Sequence, residues 1–225
     1  MYHVTRKIQR PSPATVAAIA RHSVATLHEA QGRTGALDPR IKPVDAAMSL
    51  CGPAFTVRCA PRDNIMLQLA IHYAEPGDVI VCAAGEYPDA GFFGDVLGNA
   101  CKAKRLGGLV IDSGVRDTAD LRKLGFPVFS LAISVKGTVK ETIGPINQPV
   151  VIGGELVRPG DIVRGDADGV VVVRREEAER VAPLAKVREE AENDLIARYK
   201  AGETVMELCK LGPIIMAKGL TVEPL

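Results

Sequence analysis

The chain predicts a mixed α/β fold, and three observations carry that prediction. Between about residues 78 and 130, short buried strands alternate with amphipathic helices, the rhythm of an α/β sheet. The 225 residues are 47% hydrophobic and 24% charged, enough apolar material for a large core without disulfides or a structural metal. After residue 175 the sequence turns charged and helical. The expected organisation is therefore an α/β domain over 1–175 with a helical C-terminal arm over 176–225, one domain overall.

The elements follow in order. Residues 14–31 read as a helix, because Val16, Ile19, Ala20, Val24 and Leu27 fall on one face, and Gly32 and Gly35 end it in the loop GRTG. Residues 50–60 alternate as a strand, and Asp63 is placed to cap a helix over 64–74. Val79 to Ala83 is a short buried strand, 95–106 a helix after Gly94, and 108–111 a strand. A short helix over 117–124 turns at Gly125-Phe126-Pro127 into a strand over 128–130. Residues 162–163 and 170–173, joined through DADG, read as a hairpin. The helix from Glu176 to about Lys200 meets Pro183, which implies a kink or a restart. The echo of PGDVIV (76–81) in PGDIVR (159–164) reads as reused turn chemistry before a strand.

Composition excludes several functions. Lys+Arg 28 against Asp+Glu 27 gives a formal charge of +1, without the basic excess of a nucleic-acid binder. With no Trp, 4 Tyr and 5 Phe, base-stacking platforms are not expected either. No apolar run is long enough to span a bilayer, since Val170 to Val173 stops at Arg174-Arg175. The N-terminus lacks the apolar core of a signal peptide, so a cytoplasmic protein is expected. Five cysteines (Cys51, Cys59, Cys82, Cys101, Cys209) with no CxxC fit neither a disulfide framework nor a zinc ribbon, and isolated cysteines usually pack as small hydrophobes. His3, His22, His28 and His72 show no metal-binding spacing, and P-loop, GxGxxG and GxSxG motifs are missing.

Two segments concentrate polar chemistry where strands give way to helices. In Gly91-Phe92-Phe93-Gly94-Asp95-Val96-Leu97, glycine admits a ligand to the backbone and Asp95 can cap the helix. The open amides of Val96 and Leu97, with the helix dipole behind them, suit a carboxylate or phosphate. In Ile111-Asp112-Ser113-Gly114-Val115-Arg116-Asp117, Arg116 offers a planar fork for a carboxylate, and Asp117 or Asp112 could hold a hard divalent cation. The plainer readings are an N-cap in the first segment and a surface Arg–Asp pair in the second. Together the segments describe a pocket for a small anionic substrate.

These segments carry a resemblance. HEAQGRTG (28–35), GFFGDVLGNACKAK (91–104), GGLVIDSGVRDTADLRKLGFPVFS (107–130), GTVKETIGPINQPVV (137–151) and PGDIVRGDADGVVVV (159–173) resemble the 4-hydroxy-4-methyl-2-oxoglutarate / 4-carboxy-4-hydroxy-2-oxoadipate aldolases. The superfamily includes the regulators of ribonuclease activity A, which share the fold and act by binding protein. The resemblance implies a layered α/β sandwich of the swivelling β/β/α type. It also implies a class II pyruvate aldolase with oxaloacetate decarboxylase side activity, serving an aromatic meta-cleavage pathway and using Mg²⁺ or Mn²⁺.

By the same resemblance, Gly94, Asp95, Val96 and Leu97 bind the pyruvyl carboxylate, Arg116 contacts the keto or enolate oxygen, and Asp117 ligates the metal. Glu29 and Glu192 are the acidic positions that a neighbouring subunit brings near the metal in a homotrimer or homohexamer, with the C-terminal arm packing on that neighbour; Glu189 and Glu190 lie within one turn of Glu192. Asp95, or Glu29, is the candidate base for the C4 hydroxyl. On a helical wheel at ~100° per residue, Glu29 lies opposite the apolar stripe of its helix, a position that is usually solvated, so a catalytic role requires another subunit to cover that face. Candidate cations for the substrate's distal carboxylate are Arg33, Arg62 and Lys140. A Schiff-base route would need a desolvated lysine, for which Lys136 and Lys140 are the nearest positions. The alternatives are a non-catalytic protein-binding regulator and a stand-alone oxaloacetate decarboxylase.

Overall fold

Every strand of a parallel sheet covered on both faces must be apolar on both faces, and the central strands here are. The structure, a computed structural model, describes residues 3–221. It divides into two compact units, Met1–Ala185 and Lys186–Leu225. The first unit holds β1 (Lys42–Pro43), β2 (Leu50–Arg58), β3 (Val79–Ala83), β4 (Gly91–Phe93), β5 (Gly108–Val115), β6 (Val128–Ile133), β7 (Val150–Ile152), β8 (Glu155–Val157), β9 (Ile162–Asp166) and β10 (Gly169–Val173). Its helices are α1 (Pro13–Ala20), α2 (Val24–Ala30), α3 (Ile65–Tyr73), α4 (Asp95–Ala103) and α5 (Thr118–Leu124). Helix α6 (Ala178–Lys200) begins in the first unit, and α7 (Val205–Leu208) and α8 (Leu211–Ala217) belong to the second.

The main sheet runs β1-β6-β5-β3-β2-β9-β10, with β4 added beside β5. Strands β2, β3, β5 and β6 are parallel, while β1, β9 and β10 pair antiparallel at the two ends. The ends approach each other: the segment before β1 bridges β10 at Ala36–Val171, and Lys42 donates to the Asp168 carbonyl between β9 and β10. The result is a nearly closed, barrel-like sheet in a mixed α/β unit.

Alternation sorts the core. Phe55, Val57, Ile80, Cys82, Leu109 and Ile111 face α3, α4 and α5. Their neighbours Ala54, Val79, Val81, Val110 and Phe129 face inward with Ile152, Val163 and Val172. A third cluster seats α1, α2 and the start of α6 on β9 and β10 through Ile19, Leu27, Ile162, Val171 and Val181. Cys59, Cys82 and Cys101 are buried among apolar residues; burial pushes the Cys101 thiol up to about 12 and the half-buried Cys51 thiol up to about 11, the opposite of a reactive thiolate.

Several sequence expectations are revised. The helix over 14–31 is two helices, because the Ser23 hydroxyl accepts from the Thr26 amide and starts α2 anew. The N-cap of α3 is Asn64, while Asp63 accepts the Ile65 amide and two more from a distant loop. Strand β5 runs to Val115, so Asp112 lies inside a buried strand. There it accepts the amides of Ala84 and Glu86, and burial raises its pKa, with those two bonds opposing. It is therefore a structural anchor and not a cation ligand. Gly94 is the N-cap of α4, with Asp95 its first residue. Helix α6 passes through Pro183 without restarting. The hairpin through DADG forms as β9 and β10. Val222 to Leu225, the end of the expected helical arm, lie outside the described residues.

Phe129 is fully buried, and Gly165 leaves room for its ring: a Cβ there would lie 2.8 Å from the ring tip. Phe129→Ala is expected to lower unfolding stability by about 3–5 kcal/mol, read from urea denaturation.

Candidate active site

The carboxyl ends of parallel strands open where the backbone must turn into helices, and β4, β5 and the segment after β6 all end on one side. A cavity of about 310 Å³ lies there. Gly91 to Gly94, Val96, Leu97, Arg116 and Asp117 form part of its lining; Asn64 and Gln68 from α3 and Gly137, Thr138 and Lys140 complete it.

Two backbone features bring the first group together. The Arg116 amide donates to the Phe93 carbonyl at 2.8 Å, tying the end of β5 to the residue before Gly94. Gly94 then passes so close that a Cβ would overlap the Asp117 carboxylate and stand 3.2 Å from Arg116 Cγ. Asp117 itself is left-handed (φ 54°, ψ 37°), a conformation that Asp tolerates better than most residues. Instead of capping α5 with its side chain, Asp117 turns its carboxylate to the N-terminus of α4, 3.4 Å from the Asp95 amide. Arg116 Nε lies 3.5 Å from the same carboxylate, and both side chains are part-exposed.

Among the described residues, the amides of Val96 and Leu97 have no backbone partner, since the first intrahelical bond of α4 is Gly98 N–H to Gly94 C=O. They meet the positive end of the helix dipole beside Arg116, an arrangement whose charge and open donors suit a carboxylate. Asp117 supplies the one carboxylate on the lining among the described residues. Among the described residues no group of three or more His, Cys, Asp or Glu forms a metal cage. A single oxygen ligand with open space beside it suits Mg²⁺ or Mn²⁺, which keep waters and take substrate oxygens, and does not suit a closed zinc site. The residues fit an ion of that kind.

The remaining sequence candidates fall elsewhere. Asp95 is half-buried between two lining residues but is not itself on the lining. Glu29 sits on α2, which packs on β9 and β10, and pairs with Arg33 at 3.0 Å. Glu192 belongs to the second unit, where Arg188 pairs with it at 2.9 Å. Of the three cations considered for a distal carboxylate, Lys140 lines the cavity, whereas Arg33 and Arg62 do not. Lys136 is exposed and held by Asp89 at 2.6 Å, and Lys140 is exposed, so neither is desolvated as a Schiff-base lysine must be.

Sequence reasoning missed Asn64, Gln68, Gly137 and Thr138 because a long-range anchor brings them in. The buried Asp63 carboxylate, 2% exposed, accepts the amides of Ile65, Glu141 and Thr142. Backbone bonds from Val139 N–H to Arg62 C=O and from Asn64 N–H to Val139 C=O complete the join. The local signal was Asp63 itself, read as a helix cap.

These features define a class: a mixed α/β protein whose strand ends carry a cavity built on a helix N-terminus and an Arg–Asp pair. Comparison gives the family. Residues 17–172 match the RraA-like family model, Aldolase/RraA, and the chain belongs to that family. A relative in Halalkalibacterium halodurans named "Putative 4-hydroxy-4-methyl-2-oxoglutarate aldolase" is 37% identical over 153 residues, 68% of this chain and 73% of its own length. Among solved structures, Streptomyces coelicolor RraAS2, described as an unusual member of the RNase ES inhibitor RraA protein family, has a TM-score of 0.75. It is 30% identical and covers 84% of this chain and 100% of its own. An uncharacterized protein of Pseudomonas syringae pv. tomato has a TM-score of 0.76 at 26% identity, over 89% of this chain and 98% of its own.

Burial, the largest influence on Asp63, raises its pKa, but the backbone donors outweigh it and hold the group below the ordinary carboxylate value. Its stabilisation is therefore complete above the unfolded pKa of about 3.9 and is lost as pH falls through the folded value. Asp63→Ala is expected to cost about 2–3 kcal/mol near neutrality. The gap from the parent protein, read from urea denaturation, should narrow as both are acidified below the unfolded value of about 3.9.

Proposed function

We propose that the chain is a carbon–carbon lyase of the pyruvate-aldolase type. It would cleave 4-carboxy-4-hydroxy-2-oxoadipate or 4-hydroxy-4-methyl-2-oxoglutarate to pyruvate plus oxaloacetate or a second pyruvate, with oxaloacetate decarboxylation as a side activity. The observation that carries this reading is the shared cavity in which the free Val96 and Leu97 amides stand beside Arg116 and Asp117. The name borne by the Halalkalibacterium halodurans relative supports it.

The 2-oxo acid end of the substrate seats its carboxylate on the amides of the 94–97 segment. Arg116 then lies beside the keto oxygen. A base takes the C4 hydroxyl proton, C4–O becomes a carbonyl, and the C3–C4 electron pair passes to the pyruvate fragment as its enolate. Arg116 balances the negative charge that develops on the enolate oxygen. A proton then adds at C3 to give pyruvate. Asp95, within that segment though off the cavity lining of the single chain, is the first candidate base, and Glu29 of a neighbouring copy is the second. Mg²⁺ or Mn²⁺ held by Asp117, with Glu192 of a neighbouring copy nearby, would add Lewis-acid stabilisation of the same oxygen.

That assignment requires a homo-oligomer, a trimer or hexamer. Apolar side chains exposed in the single chain, Val96 (74%) on the cavity wall and Val135 (87%) near it in sequence, are consistent with a covering copy. A second reading, a protein-binding regulator, is favoured by the similarity to the Streptomyces coelicolor protein. Such a protein would need neither Arg116 nor Asp117.

Arg116→Ala and Asp117→Asn are each expected to lower kcat/KM for pyruvate release by at least about 10²-fold, with thermal unfolding unchanged. Near-normal activity in either variant would remove the site assignment.

A further inference from the structure

The substrate has one feature that the carboxylate-binding groups do not read. At neutral pH a 4-hydroxy-2-oxo dicarboxylate carries two carboxylates and a ketone, all acceptors, and a single hydrogen-bond donor, the C4 hydroxyl. Most polar groups on the cavity wall are donors: the Val96 and Leu97 amides, Arg116 and Lys140. Gln68, in the first turn of α3 and half-buried on the same wall, is different.

Its orientation is fixed by a chain of two amides. The Phe92 carbonyl can only accept, so the group that Asn64 presents to it at 2.8 Å is its NH₂. Asn64 Oδ1 therefore faces Gln68, and the Gln68 NH₂ donates to it at 3.0 Å. With its NH₂ turned to Asn64, Gln68 is left with Oε1, which takes no hydrogen bond among the described residues. The chain starts at a backbone carbonyl two residues before Gly94, so the acceptor is held in register with the carboxylate-binding segment.

We infer that Gln68 Oε1 accepts a hydrogen bond from the C4 hydroxyl, and so selects 4-hydroxy-2-oxo acids over 2-oxo acids that lack this hydroxyl. The inference rests on the proposed lyase reading and adds its specificity determinant. Gln68 moves no proton; it recognises the hydroxyl and orients it.

The test uses the full-length protein with Mg²⁺ and compares pyruvate release from 4-hydroxy-4-methyl-2-oxoglutarate with that from oxaloacetate, which has no C4 hydroxyl. Gln68→Met keeps the length of the side chain and removes its acceptor. The aldol kcat/KM is expected to fall about tenfold, while oxaloacetate decarboxylation stays within about twofold and reports an intact fold and metal site. Gln68→Glu, which keeps an acceptor and loses the bond to Asn64, should restore the ratio of the two activities toward that of the parent. Equal losses in both activities would mean that Gln68 acts only by holding Asn64, and would overturn the inference. No change in either would overturn it too. A parent protein active on oxaloacetate alone would overturn the inference while keeping a lyase; one silent on both substrates would overturn the proposed function itself.

Discussion

The close passage of the 91–94 backbone against the end of β5 is the constraint on which the site depends. Gly94 has no side chain, so the N-terminus of α4 can lie against Asp117 and Arg116. From that approach follow the open amides, the left-handed turn at Asp117 and the carboxylate aimed at α4 instead of capping α5. A left-handed non-glycine residue costs roughly 1–2 kcal/mol, and such strain is commonly stored where function fixes the geometry. The rigid parallel strands beneath it hold the turn: β5 is buried along its whole length and paired on both sides.

The opposite wall is built by a different device. Asp63 gathers three amides, two of them from residues almost eighty positions away, and so joins the start of α3 to the segment after β6. That join brings Asn64 and Gln68 to the same cavity as Lys140 and Thr138. One wall thus depends on a backbone approach that only glycine permits, and the other on a buried carboxylate that backbone donors satisfy. The first is a steric arrangement and the second an electrostatic one, and the fold itself sets both.

The sequence made the parallel half of the sheet readable because its strands are buried on both faces and separated by helices with clear apolar stripes, as at Val79–Ala83. The helix start after Gly94 was legible, whereas the break at Ser23 was harder. Capping residues look alike whether they start a helix or hold a distant amide, so Asp63 read as a cap and the 14–31 stripe hid a restart. The short strands β1, β4, β7 and β8, two or three residues each, have too few positions for periodicity to register. On the site, the 94–97 and 116–117 pairs stood out because polar chemistry clustered within a few residues. Lys140 was one of three cations considered, but Asn64, Gln68, Gly137 and Thr138 were invisible for the opposite reason, since only the tertiary fold joins them to the site.

The central claim is that this cavity binds a 2-oxo acid and stabilises a pyruvate enolate. The most direct measurement follows pyruvate release through lactate dehydrogenase, with the parent protein given 4-carboxy-4-hydroxy-2-oxoadipate and, separately, oxaloacetate. Each is run with Mg²⁺ and with EDTA. Pyruvate from both substrates, dependent on the divalent ion, is the predicted result. A folded protein that releases none from either, with metal supplied, would contradict the account and turn attention to a protein partner.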